Sequence, residues 1–297
     1  MNIQSFSLSI PGGCPNNCKF CVSHMHHGNY TNQLDCNSLF FDLYLEDFEQ
    51  KLMFVRDNGC NSCLITSSGE ALTNRQYLMI FGMINKKMEK PFRNIELQTS
   101  GVLLEENYLR FLRNHVWIKT ISLSVSDLFD DENNFNIMQT PEKLRYNLKE
   151  LCVLIKKYDF NLRLSFNVSS AYSTYQYRTS EDRARTIIKR AKQLGADQLT
   201  IRKLYTSGND TFEDQWILNN SVEDSYFEEF NKYVKKNGTP IRKLIFGATV
   251  YMCEGLSIVI DEDCMATNII DTSVKYLILR EDMHLYSHWN DPGSLVF

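Results

Sequence analysis

The chain has 297 residues, 43% of them hydrophobic and 23% charged, with a formal net charge of −4. That composition excludes a disordered or low-complexity chain, and at this length folding buries about 75% of the unfolded surface, enough for one barrel or two ordinary domains. No apolar run approaches the ~20 residues that span a bilayer, and the first residues have neither the basic flank nor the apolar stretch of an export signal. Nine cysteines, an odd number, argue against a disulfide framework and for a reducing compartment. These features predict a cytoplasmic protein without a membrane partner. Residues 141–204 hold 14 Lys/Arg against 6 Asp/Glu, and residues 205–297 hold 7 against 15. The positive stretch reads as the solvated faces of two helices, and the acidic last third speaks against a nucleic-acid partner, which normally demands a basic footprint.

In chain order, residues 5–10 alternate polar and apolar side chains and predict a half-buried first strand, ended by Pro11, Gly12 and Gly13. Directly behind it stand Cys14, Cys18 and Cys21, a C-x3-C-x2-C triad on a Gly/Pro-rich loop. Three thiolates so close together make a soft anionic site suited to zinc or to an iron–sulfur cluster. A closed zinc site needs a fourth ligand, for which His24, His26, His27 and Cys36 are at hand. Three thiolates alone leave one corner of a four-iron cluster open. The polar stretch 23–38 reads as exposed loop.

Helical periodicity follows over 39–58, stopped by Gly59. A second strand over 60–66 takes Cys60 and Cys63 as packing residues, and 67–72 turns into the next helix. The alternation continues with a helix over 75–87, a strand over 94–99, a helix over 105–114 and a strand over 118–125. After an acidic, Asn-rich loop at 127–136 come a helix over 141–157, a strand over 162–168, a helix over 180–194 and a sixth strand over 198–204. Six strand-then-helix units predict an α/β fold, a partial (β/α)6 TIM-type barrel over residues 1–204. Its strand ends carry the polar residues Gln98, Thr99, Ser124, Ser126, Asn167, Ser169 and Arg202, at the end where such folds place their sites. A loop at 207–220, an amphipathic helix at 222–236 and apolar runs at 256–260 and 275–279 predict a C-terminal α+β extension, residues 205–297, covering the barrel's open side.

The cysteine loop resembles the hallmark of the radical S-adenosylmethionine (SAM) superfamily. That resemblance implies a [4Fe-4S] cluster on Cys14, Cys18 and Cys21, with SAM chelated to the open iron. It further implies reductive cleavage of SAM to methionine and a 5′-deoxyadenosyl radical that abstracts hydrogen from a small-molecule or peptide substrate. An external electron donor such as flavodoxin or ferredoxin is implied as well. On the same basis Phe20 lies near the adenine. Ser68, Gly69 and Glu70 stand in for a Gly-Gly-Glu-Pro segment that holds the SAM amino group, with Ala71 where the family has Pro. Ser124, Ser126 and Asn167 line the nucleoside, and Arg202 meets the carboxylate, whose geometry a guanidinium fork matches.

The organisation is similar to that of members with a C-terminal extension, such as the molybdenum-cofactor cyclase and peptide-maturing enzymes. Cys253 and Cys264 look like the start of their auxiliary-cluster motif, but the remaining ligands are missing, so a degenerate extension without a second cluster is expected. Tyr172, Tyr175 and Tyr205 are candidate hydrogen donors beside the histidines. A nucleic-acid-modifying member of the family, a zinc-stabilised binding protein and an iron–sulfur electron carrier that never binds SAM remain open as alternatives.

Overall fold

A computed structural model of the chain describes residues 2–26, 45–177, 179–243, 249–261, 269–270, 273–289 and 291–297. Strands β1 (Asn2–Ser9), β2 (Ser62–Thr66), β3 (Asn94–Thr99), β4 (Thr120–Val125), β5 (Asn161–Val168) and β6 (Gln198–Lys203) lie side by side in chain order, every neighbouring pair parallel. Between and beyond them run α1 (Leu45–Asp57), α2 (Arg75–Lys87), α3 (Glu106–Phe111), α4 (Asp131–Met138), α5 (Leu148–Lys157), α6 (Ser180–Gln193), α7 (Phe212–Asn220) and α8 (Asp224–Asn237). The expected α/β partial barrel is therefore present.

The chain beyond residue 204 adds β7 (Gly238–Lys243), β8 (Thr249–Cys253), β9 (Leu256–Asp261), β10 (Ile269–Ile270), β11 (Ser273–Leu279) and β12 (Leu285–Tyr286). These strands join the same sheet at both edges. β9 pairs parallel with β6, aligning Asp261 with Arg202, and β11 pairs parallel with β1, aligning Leu279 with Leu8. The order is β10-β11-β1-β2-β3-β4-β5-β6-β9-β8-β7, with β12 on β11, and among the described residues the sheet does not close.

Register explains how this sheet holds a site. Residues paired across parallel strands share a face, and successive residues alternate faces. Phe6, Cys63, Ile95, Ile121, Leu162 and Leu199 share one face with Leu8, Ile65, Leu97, Leu123, Leu164 and Ile201, and all belong to one buried core with Leu52, Phe81, Leu109, Ile155 and Ile188 of the helices. The opposite face carries Ser7, Ser9, Thr66, Glu96, Gln98, Ser122, Ser124, Arg163, Ser165, Asn167, Thr200 and Arg202. Barrels of this type usually fill their interior with branched apolar side chains. Here polar residues replace them, and a cleft opens at the strand ends.

Three local expectations differ from the structure. Residues 131–138 form α4 where an Asn-rich loop is expected. Asp130 caps the helix by accepting from Asn133 N at 3.0 Å, and buried Asn134 accepts from the backbone N–H of Ser126 at 2.7 Å and of Asp127 at 3.2 Å. The asparagines therefore serve the loop after β4 without breaking the helix. Residues 212–220 are helical in place of loop, because Thr211 and Asp214 form a capping box. The helix expected over 141–157 begins at Leu148, after a 3-10 turn at Glu142–Leu144, and Asn147 caps it. Among the described residues no helix is long and apolar enough to cross a membrane.

Candidate active site

β1 delivers the cysteine loop, and the end of β2 clamps it. Ile10 N donates to Thr66 O at 2.8 Å, Glu70 N to Gly13 O at 3.0 Å, and Asn74 Nδ2 to Pro11 O at 3.0 Å. A Cβ on Gly69 would stand 2.5 Å from Gly13 O and 2.6 Å from Gly12 O, so only glycine lets the two backbones approach this closely. Cys21 then caps one helical turn, Val22–Met25, its carbonyl accepting from His24 N at 3.1 Å.

The three thiols line one cleft of about 280 Å³ together with Phe20, Ser68, Gly69, Glu70, Ser124, Asn167 and Arg202, near the lower end of the small-molecule range. Of the expected cofactor residues, Ser126 alone is not in this lining; it is 1% exposed, its N–H bonded to Asn134. Desolvation pushes the Cys14 thiol up to about 11. Desolvation, reinforced by Cys21 and Cys14, raises Cys18 further, and burial also raises Cys21. Ionised, three thiolates in such a place would repel one another, a cost that the positive charge of a bound metal centre would offset. Among the described residues no three His, Cys, Asp or Glu side chains are grouped as ligands of a single metal ion. The three thiols line the same cleft, a donor set that fits a polynuclear iron–sulfur group. The Asn16 side chain, also in the lining, is 6% exposed and has neither amide atom hydrogen-bonded, which suits a polar occupant.

Two carboxylates stand at the β2 turn. Glu70, 3% exposed, accepts from Thr99 Oγ1 at 2.7 Å, Ser100 Oγ at 2.6 Å, Ser100 N at 2.9 Å and Leu72 N at 3.3 Å. Its lone pairs are thus engaged within the protein, tying β2 to β3. The second, Glu281, follows β11 and accepts from Ser9 Oγ at 2.8 Å and Ser68 Oγ at 3.1 Å. Sequence reasoning missed it because its partners lie more than 200 positions away; an acid two residues past an apolar run was the one available signal.

Elsewhere on the polar face, outside the cleft lining, Arg163 Nη1 lies 2.6 Å from Glu96, whose carboxyl burial pushes up while Arg163 and Arg202 pull it down. Phe20 sits 6.2 Å, centroid to centroid, from Trp216 of α7. His24 Nδ1 donates to Glu213 of α7 at 3.0 Å, an acid that the loop expectation for 207–220 hid. Tyr205 O–H lies 3.5 Å from His26 Nε2, and burial lowers the His26 pKa. Tyr172 lies apart from the lining, its hydroxyl 3.3 Å from that of Tyr226. Cys60, Cys63 and Cys253 are buried in the core. His27, Cys36 and Cys264 fall outside the described residues.

Residues 8–201 match the model of the radical SAM superfamily. Among solved structures, Streptococcus suis SuiB bound to precursor peptide SuiA superposes with a TM-score of 0.57 at 11% identity, covering 96% of this chain and 59% of that one. SuiB bound to S-adenosylmethionine gives 0.57 at 12%, covering 96% and 60%. Native anSMEcpe with bound AdoMet and Cp18Cys peptide gives 0.50 at 17%, covering 80% and 59%. The chain thus spans about 60% of the length of these proteins, and at such identities the likeness is one of fold. No curated protein sequence matches the chain.

Proposed function

The chain belongs to the radical SAM superfamily, and from that premise we propose that the cleft holds a [4Fe-4S] cluster and SAM and that the enzyme abstracts hydrogen from a peptide or small-molecule substrate. Radical SAM enzymes use that cluster with SAM; when bound, the reduced pair supplies a 5′-deoxyadenosyl radical. The observation that carries the reading is one cleft uniting the Cys14, Cys18 and Cys21 thiols with the β2 turn and the polar ends of β3 to β6.

The chain's own residues then have separable tasks. Cys14, Cys18 and Cys21 hold the cluster. Gly69 brings the β2 turn against the cysteine loop, and Glu70 fixes Thr99 and Ser100 beside it. The Arg202 guanidinium offers the methionine carboxylate a matching fork. Ser124 and Asn167 offer hydrogen bonds to the nucleoside, and Phe20, backed by Trp216, offers it an apolar face. Ser126 acts one layer behind, through Asn134. The peptides in the SuiB and anSMEcpe structures favour a peptide substrate, reduction coming from an external electron donor such as flavodoxin or ferredoxin.

The test is anaerobic. Wild type and Cys18→Ala are reconstituted with iron and sulfide, assayed for iron, and given dithionite and SAM. Wild type is expected to release 5′-deoxyadenosine and Cys18→Ala none. Zinc without iron in protein purified anaerobically, or release undiminished in Cys18→Ala, would sink the reading.

A further inference from the structure

We propose that Glu281, contributed from beyond the six barrel strands, is a positioning residue for the SAM amino group. It acts by holding the hydrogen of the Ser68 hydroxyl, so that the Ser68 lone pairs face the cleft. The inference rests on the cofactor reading above.

β11 lies parallel to β1, so the residues following Leu279 arrive beside Ser9, at the end of the sheet where the cysteine loop begins. Glu281 is 1% exposed. Its Oε1 accepts from Ser9 Oγ at 2.8 Å and Ser68 Oγ at 3.1 Å, and its buried Oε2 has no hydrogen-bond partner among the described residues. A carboxylate oxygen left this way costs free energy. A staple between strands would be better made by a neutral side chain with every polar atom satisfied, so the acid answers another need.

A hydroxyl has one hydrogen and two lone pairs. With its hydrogen on Glu281, Ser68 can only accept from whatever enters the cleft it lines. Glu70 takes the hydroxyl hydrogens of Thr99 and Ser100 in the same way, at 2.7 and 2.6 Å, while Thr99 Oγ1 also accepts from Gly101 N at 3.0 Å. Both of those residues also line the cleft. This corner therefore combines two buried acids with hydroxyls turned acceptor-outward, and the ligand group it fits is a cationic donor. Arg202 lines the same cleft from β6 and fits the opposite charge. A zwitterionic amino-acid end, ammonium on the Ser68 side and carboxylate toward Arg202, is the complement.

The experiment uses reconstituted wild type, Glu281→Leu, which removes the acceptor, Ser68→Ala and the double variant. Equilibrium dissociation constants are measured for SAM and for a SAM analogue lacking the α-amino group, alongside thermal midpoints. Each single variant is expected to weaken SAM binding about five- to tenfold while moving the analogue by less than about twofold, one hydrogen bond to a charged group being at stake. The double variant should bind SAM no more weakly than the weaker single one, because both substitutions break one chain of contacts. Equal weakening of both ligands, additive losses, or unchanged SAM affinity with a lowered thermal midpoint would each overturn the proposal and leave Glu281 a staple. Wild type that carries four iron atoms yet binds neither ligand would instead overturn the cofactor reading, taking this inference with it.

Discussion

The two faces of the central sheet are built from the same strands and differ at every second residue. On β4, Ile121, Leu123 and Val125 are buried in the shared core, while Ser122 and Ser124 face the opposite way. On β5, Leu164 and Phe166 contrast in the same manner with Arg163, Ser165 and Asn167. One face removes apolar area from water and so carries most of the fold's stability. The other leaves room at the strand ends and furnishes the cleft. Stability and chemistry are thereby assigned to alternate residues of one strand, and substitutions on the two faces should fail differently.

The largest expected effect on stability lies on the apolar face. Phe166→Ala should lower unfolding free energy by about 3–5 kcal/mol through lost burial and a residual cavity, measured by urea unfolding of the reconstituted protein. Its folded fraction should keep the wild-type affinity for SAM. An affinity loss in step with the stability loss would break the division between faces.

Next comes the Arg163–Glu96 ion pair on the polar face. Arg163→Met takes the nearest cation from the Glu96 carboxylate, leaving Arg202, and should cost about 3 kcal/mol near neutral pH. Burial already raises the Glu96 pKa, so the folded state binds that proton more tightly than the unfolded chain, and stability falls as pH rises through the folded value. Losing Arg163 raises the carboxyl further. The deficit should therefore be larger near pH 8 than near pH 5, read from thermal midpoints; a pH-independent deficit would show that packing, not charge, dominates there.

The smallest stability effect should come from Asn167→Ala. A change within about 0.5 kcal/mol is expected, in line with substitutions away from the core. SAM affinity should nevertheless fall about five- to tenfold if the amide bonds the nucleoside. Unchanged affinity would remove Asn167 from the cofactor's contacts and sharpen which part of the polar face is used.

What could be read from the residues beforehand follows from how local each signal is. The alternation Ser5-Phe6-Ser7-Leu8-Ser9 announces both faces of β1, and the spacing of Cys14, Cys18 and Cys21 announces the loop, because each is complete within about ten positions. The helix α4 was hidden because its asparagines look like loop composition until Asn134 is seen bonding Ser126 and Asp127. In α7 the capping box of Thr211 and Asp214 outweighs polar composition, and with it Glu213 comes to His24. Ser126 stands at a strand end, an even number of residues from Ser122 and Ser124, which points it toward the cofactor by pattern, but it is 1% exposed with its N–H bonded to Asn134 of α4, a contact no short stretch announces. The pairing of β11 with β1, and hence Glu281, left no mark in any short stretch, since the partners Ser9 and Glu281 are 272 positions apart.

That pairing also sets a timetable for synthesis. The parallel edge of β1 is made some 270 positions ahead of the strand that covers it, Ser5 Oγ donating to Lys275 O across that separation. At elongation rates of ~5–20 residues per second, roughly 15–50 s pass between the two. Through that interval β1 presents an unpaired edge, the kind of surface on which chains associate wrongly. Contacts of such sequence separation also form slowly once the chain is free. The nascent enzyme should thus be a strong client of chaperones that mask exposed strands, up to the moment β11 emerges.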